Sequence, residues 1–176
     1  MQVFLFHCWG GDGKSCWSFW LTNRLKEKNI SVLSPDFPDT NFPKLEKWLE
    51  TIRSNQGKFD KKEDWVFIGH SLGCPTILRL LESFEKDEHV KKVILVAGFA
   101  KDLGIPDIKN FVDQKFNWEK INSVCDEFVV INSDDDPFIE LNEGERLAKM
   151  LNTKLIVEHN GGHINNLHYA RLLEFL

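Results

Sequence analysis

The stretch Trp65-Val66-Phe67-Ile68-Gly69-His70-Ser71-Leu72-Gly73 decides the fold. Its first four residues form an apolar run with no polar interruption, as in a strand covered on both faces. The run enters G-x-S-x-G, and just beyond it Ile77, Leu80, Leu81 and Phe84 recur at helical spacing. A buried strand, a tight turn and a helix in direct succession are the setting in which a serine is held out as a nucleophile. Ser71 then sits on a strained turn, and Gly69 and Gly73 have no side chains to collide across it. The N–H groups that follow, at a helix N-terminus, favour negative charge developing nearby. Pro75 falls in the first helical turn, where a missing N–H costs little.

Outward from this point, the same alternation covers the chain. Val3–His7, Ile30–Leu33, Val90–Ala97, Glu127–Asn132 and Lys154–Glu158 read as further strands. Leu45, Trp48, Leu49 and Ile52 form one helical stripe, and Tyr169, Leu172, Leu173 and Leu176 form another. Trp17, Trp20, Leu21 and Leu25 make a looser one near the start. Regular β–α alternation predicts an α/β fold: a doubly wound, mostly parallel six-stranded sheet, order 2-1-3-4-5-6, with helices on both faces. A single domain over 1–176 is expected. The alternation falters once, over 101–118, which makes that segment a candidate lid.

Composition narrows the function classes. The 176 residues are 42% hydrophobic and 28% charged, an ordinary globular balance. The net charge of −5 and the lack of any Lys/Arg run beyond a pair argue against a nucleic-acid partner or an anionic membrane surface. No stretch approaches the ~20 apolar residues of a membrane span. The start, Met1-Gln2-Val3-Phe4-Leu5-Phe6, does not resemble a signal peptide. Cys8, Cys16, Cys74 and Cys125 show no C-x-x-C spacing and read as reduced, structural thiols, so a cytoplasmic location is expected.

A serine nucleophile needs a base and a group to orient it, which in this fold follow in the order Ser, acid, His. After the fifth strand comes Ser133-Asp134-Asp135-Asp136-Pro137-Phe138, and after the sixth His159-Asn160-Gly161-Gly162-His163. Acid and histidine thus leave the sheet at the edge where Ser71 lies. His163 follows two glycines able to bring its imidazole toward Ser71. By residue type alone Asp134, Asp135 and Asp136 are nearly equivalent. Three aspartates in a row are also a common solvated turn. His7, His70, His89, His159 and His168 are weaker bases, with His70 expected to point away from the serine.

The loop Cys8-Trp9-Gly10-Gly11-Asp12-Gly13-Lys14-Ser15 competes for attention because it nearly matches a phosphate-binding loop, with Cys8 in place of the first glycine. Trp9 is bulky for such a loop, and no strand ends in a convincing magnesium-binding aspartate. The other reading places this loop beside the Ser71 turn, at the switch point between strands 1 and 3. The backbone N–H groups of Trp9 and Leu72 are then the natural oxyanion donors.

With these residues in view, the sequence resembles the α/β-hydrolase superfamily, and within it the small serine hydrolases of the retinoblastoma-binding protein nine and YdeN family. The likeness spans nearly the whole chain. It runs through Trp9–Asp12, Ile68-Gly69-His70-Ser71, Lys92–Val96, Asp102-Leu103-Gly104, Asn117–Ile121, Ser133–Phe138 and Gly162-His163. It implies a minimal α/β-hydrolase with a catalytic triad of Ser71, Asp136 and His163, selecting Asp136 because Pro137-Phe138 follow it. The chain departs from many hydrolases at Cys8, where a glycine is common.

The expected chemistry is transfer of a small acyl group from an ester, thioester or amide to water, through an acyl-enzyme and with no metal or organic cofactor. Phe111, Phe116 and Trp118 are candidates to line an apolar acyl pocket. Proteins of this kind are also described as binding partners. The rival expectation is therefore a non-enzymatic interaction module on a hydrolase fold, with a protein partner that the sequence does not identify.

Overall fold

The computed structural model describes residues 1–57 and 63–176. Six strands form one parallel sheet: β1 (Gln2–Phe6), β2 (Ser31–Leu33), β3 (Trp65–His70), β4 (Val90–Val96), β5 (Cys125–Ser133) and β6 (Leu155–Glu158). Their order is β2-β1-β3-β4-β5-β6, with every neighbouring pair parallel. β1 and β3 are adjacent at the centre, where Phe6 pairs with Gly69 and the chain's crossovers reverse direction.

The apolar runs are covered on both sides because alternate side chains enter two different cores. Phe4, Phe6, Phe67, Val93, Leu95 and Val130 point to the larger one. The helices α2 (Leu45–Gln56), α3 (Gly73–Glu82), α4 (Trp118–Ser123) and α5 (Leu141–Met150) pack there. Val3, Leu5, Val66, Ile68, Ile94 and Val96 face the smaller one, under α1 (Ser18–Glu27) and the C-terminal segment.

The helical stripe at Tyr169–Leu176 takes a tighter form than an α-helix. Ala170–Phe175 is a 3-10 helix, with only Leu172 fully buried. The segment where the alternation falters contains a second 3-10 helix, Pro106–Phe111, before α4 begins. Among the described residues, no helix is long and apolar enough to cross a membrane.

Candidate active site

Ser71 stands between β3 and α3 with φ +52°, in the left-handed region that costs a non-glycine residue about 1–3 kcal/mol. Its N–H donates to the Val96 carbonyl at 2.9 Å and its carbonyl accepts from Cys74 N–H at 2.9 Å, so the strained turn is tied at both ends. The flanking glycines are steric requirements. A Cβ on Gly73 would lie 2.1 Å from the carbonyl oxygen of Phe6, and one on Gly69 would lie 2.9 Å from the Gly73 backbone. Only with both positions bare can α3 start so close to the end of β1.

The three aspartates after β5 divide their work. Asp134 binds His159 Nδ1 at 2.6 Å and accepts from Asn160 N–H at 3.0 Å. Asp135 accepts from Gly162 N–H at 2.7 Å and from the Ser133 hydroxyl at 2.7 Å. Asp136 alone meets His163, with Oδ2 2.8 Å from Nδ1. Its other oxygen accepts the N–H groups of Phe138 and Ile139 at 2.9 and 3.1 Å. Burial would push this carboxyl up, but the His163 bond and the two amide donors outweigh it and hold the group below its ordinary value. An ionised Asp136 fixes the His163 proton on Nδ1 and leaves Nε2 with a lone pair.

The backbone around His163 is pinned from several sides. Gly161 N–H donates to Ser133 Oγ at 2.9 Å, and Trp17 Nε1–H donates to the carbonyl of Ile164 at 3.1 Å. His70 Nε2–H donates to the carbonyl of His163 itself at 2.9 Å. Its ring centroid is 5.1 Å from that of His163, so His70 lies beside the site, contrary to the expectation that it points away. The reason is that β3 ends at His70, and the turn at Ser71 leaves its ring packed edge-on to Trp17 under the His163 loop.

Ser71, Leu72, His163 and Trp9 share one cavity of about 350 Å³. Among the described residues, the N–H groups of Leu72 and Trp9 donate to no protein acceptor. The Trp9 indole is held at the cavity rim by a 3.0 Å bond from Nε1 to the Asn41 carbonyl.

The apolar wall differs from the one expected. Phe99, Leu103, Ile105, Ile108, Phe138 and Ile139 line the cavity, while Phe111, Phe116 and Trp118 do not. Phe111 is fully buried against Trp48, 5.2 Å between ring centroids. Phe116 lies under the Arg79 guanidinium at 3.8 Å, and it and Trp118 border a separate cleft. Arg79 also donates from Nε to the Phe111 carbonyl at 3.0 Å, which draws this aromatic stretch onto α3 and away from the serine.

The first loop does not cradle a phosphate. The backbone N–H groups of Gly10, Gly11, Asp12, Gly13, Lys14 and Ser15 all donate to acceptors within the protein. α1 begins only at Ser18. A phosphate-binding loop needs those N–H groups free and converging. Sequence reasoning also missed that this loop folds back and brings Cys16 beside Cys8. Both thiols line the cavity, and only Cys74 and Cys125 are the buried cysteines expected. The Cys16 thiol holds Cys8 well below the ordinary thiol value, and Cys16 is driven up in turn.

Comparison with known proteins places the chain in a family. The family model described as "Serine hydrolase" matches residues 3–169. YdeN of Bacillus subtilis is 31% identical over 163 residues, covering 92% of this chain and 85% of its own. The serine hydrolase RBBP9 of Rattus norvegicus is 27% identical over 168 residues, covering 93% and 87%. A crystal structure of the B. subtilis ydeN gene product superposes with a TM-score of 0.91 at 28% identity, covering 99% of this chain and 95% of that one.

Proposed function

The chain belongs to the serine hydrolase family, and from that premise we propose that it hydrolyses esters, thioesters or amides of small apolar carboxylic acids, with Ser71 as nucleophile, His163 as base and Asp136 as its orienting partner. The observation that carries this reading is the Asp136–His163 pair at 2.8 Å, set across one cavity from a serine with positive φ.

Ser71 Oγ attacks the substrate carbonyl carbon while His163 Nε2 takes the hydroxyl proton. The carbonyl oxygen gains the negative charge and is received by the free N–H groups of Leu72 and Trp9. As the carbonyl re-forms, the bond to the leaving group breaks, and His163 Nε2–H protonates that group. This leaves an acyl ester on Ser71. Water then attacks the ester with His163 again as base. The second tetrahedral intermediate expels Ser71 Oγ, which recovers the proton, and the carboxylic acid departs. Asp136 keeps its charge throughout and stabilises the imidazolium formed in each half.

Cavity size and lining support a small acyl group. A volume of about 350 Å³ lies near the low end of the ~300–1,000 Å³ found for small-molecule sites. Its walls of Leu103, Ile105 and Ile108 offer an acyl chain apolar contact and no charge to pair with.

Incubation with a fluorophosphonate probe, followed by intact mass, tests the assignment. One adduct on wild type is expected, absent in Ser71→Ala and slow to form in His163→Ala and Asp136→Asn. A folded wild type that takes no adduct, or a Ser71→Ala variant labelled at the wild-type rate, would overturn it.

A further inference from the structure

Among the described residues, Cys8, Cys16 and His70 bring two thiol sulfurs and an imidazole nitrogen within 4.8 Å of one another. All three belong to the wall of the Ser71 cavity. The mechanism uses neither thiol. We propose that Cys8, Cys16 and His70 form a binding site for a thiophilic d10 cation, Zn2+ foremost, and that the bound ion closes the cavity to substrate.

The donor set selects the ion. Two sulfurs and an imidazole suit Zn2+ or Cu+ and are poor ligands for Mg2+ or Ca2+, which take oxygen. Two Cys and one His with a fourth position left open is a known zinc arrangement, the open position taking water or substrate. Here that position faces the cavity, because all three side chains line it. With Zn–S near ~2.3 Å and Zn–N near ~2.0 Å, a tetrahedral site needs its donor atoms roughly 3.3–3.8 Å apart. From the 4.8 Å limit that range is reached by closing the donor atoms by up to about 1–1.5 Å, and Cys8 and Cys16 are only partly buried.

His70 is already held as a metal-binding imidazole usually is. It donates Nε2–H to the His163 carbonyl, so the neutral ring keeps its lone pair on Nδ1. The Cys8 carbonyl accepts from His7 Nδ1–H at 2.9 Å and from Gly11 N–H at 3.2 Å, so its backbone is held by its neighbours. Cys8 also precedes Trp9, whose N–H we assign to the oxyanion. An ion on Cys8 and Cys16 would therefore lie in the space the reacting carbonyl must enter. This last step rests on the proposed hydrolase mechanism, whereas binding itself does not.

The test uses the full chain, reduced with a phosphine and stripped of metal, titrated calorimetrically with ZnCl2. Co2+ serves as a spectroscopic probe of thiolate ligation. One Zn2+ per chain and a thiolate-to-cobalt charge-transfer band are expected in wild type. Cys16→Ser, Cys16→Ala and His70→Gln should each lose at least about tenfold in affinity, so the failure of one variant to fold does not remove the test. Unchanged affinity in the folded variants, or no charge-transfer band, overturns the site. Fluorophosphonate labelling of wild type should slow with Zn2+, each protein being compared with its own metal-free rate. Binding without slower labelling overturns the closing of the cavity. If no protein labels with or without Zn2+, the hydrolase mechanism is what fails, and the calorimetry still decides the metal site.

Discussion

His70 donates its Nε2–H to the carbonyl oxygen of His163 at 2.9 Å, so the residue before the serine holds the backbone of the residue assigned as its base. The bond spans the cleft between the end of β3 and the loop after β6. It ties the relative placement of Ser71 and His163 to a side chain in the cavity wall that takes no part in the proton transfers.

His70 is therefore a positioning residue, and its loss should appear in turnover more than in binding. His70→Leu removes one partly buried hydrogen bond, worth about 0.5–1.5 kcal/mol, which corresponds to a fall in kcat of roughly 2- to 13-fold. KM should change little. His70→Gln can offer an amide donor at a similar reach and should recover part of the loss. A merely structural role predicts a lower melting temperature with kcat unchanged in the folded fraction, and steady-state kinetics beside thermal denaturation separates the two.

The three aspartates should differ sharply despite their adjacency. Asp136→Asn keeps the shape but no longer fixes the His163 proton on Nδ1, and kcat should fall by about 10⁴-fold. Asp134→Asn weakens an exposed contact with His159 and should leave kcat within about twofold. Asp135→Asn disturbs the acceptor for Gly162 N–H and should loosen the His163 loop, lowering stability with a smaller effect on rate. An Asp134→Asn variant as damaged as Asp136→Asn would remove the assignment.

Acyl preference should follow the observed wall. Leu103→Trp adds bulk inside a small cavity and should shift preference toward shorter acyl chains by about tenfold or more in the ratio of kcat/KM values. Phe116→Leu should leave that ratio unchanged, because Phe116 stands under Arg79 outside the cavity. Its cost should fall on stability, through the lost cation–ring contact of about 0.5–2 kcal/mol. A p-nitrophenyl ester series measured on both variants tests the pair together.

The parts of this molecule legible in the sequence are those where one local rule acts alone. β3, the glycines at 69 and 73 and the apolar stripe of α3 each obey a strong steric or burial constraint, and reading them together places the sheet and the serine. The face of α5 was not visible in the same way. It turns Glu143 and Gly144 inward, with Glu143 paired to Lys101 at 3.0 Å and Gly144 pressed against the Asn132 side chain, so the apolar periodicity breaks where the helix is most buried. Phe111, Phe116 and Trp118 misled for the opposite reason. Their aromatic character suits a pocket or a core equally, and Arg79, more than thirty residues away in sequence, decides between them. The Cys8–Cys16 encounter depends on a loop fold that neither residue signals.

His7 supplies a pH test of the fold. The chain buries this imidazole at the end of β1, where Nδ1–H donates to the Cys8 carbonyl and Nε2 accepts the Phe37 N–H at 2.9 Å. A proton on Nε2 would break the second bond. Burial accordingly pushes the pKa of His7 below its ordinary value, against weaker upward pulls from the Cys8 carbonyl and nearby acids. The unfolded chain then binds a proton near pH 6.5 that the folded one still refuses, so stability is fully present above about pH 6.5 and declines as the pH falls below it. The slope contributed is at most about 1.4 kcal/mol per pH unit. Cys8 is also held low and tilts the curve the same way over this range, so the diagnostic quantity is the difference between wild type and His7→Asn. Urea unfolding between pH 5 and 8 should show His7→Asn less stable than wild type at pH 8, with the gap narrowing toward pH 5. A gap that stays constant across that range would mean His7 is not the group being held neutral.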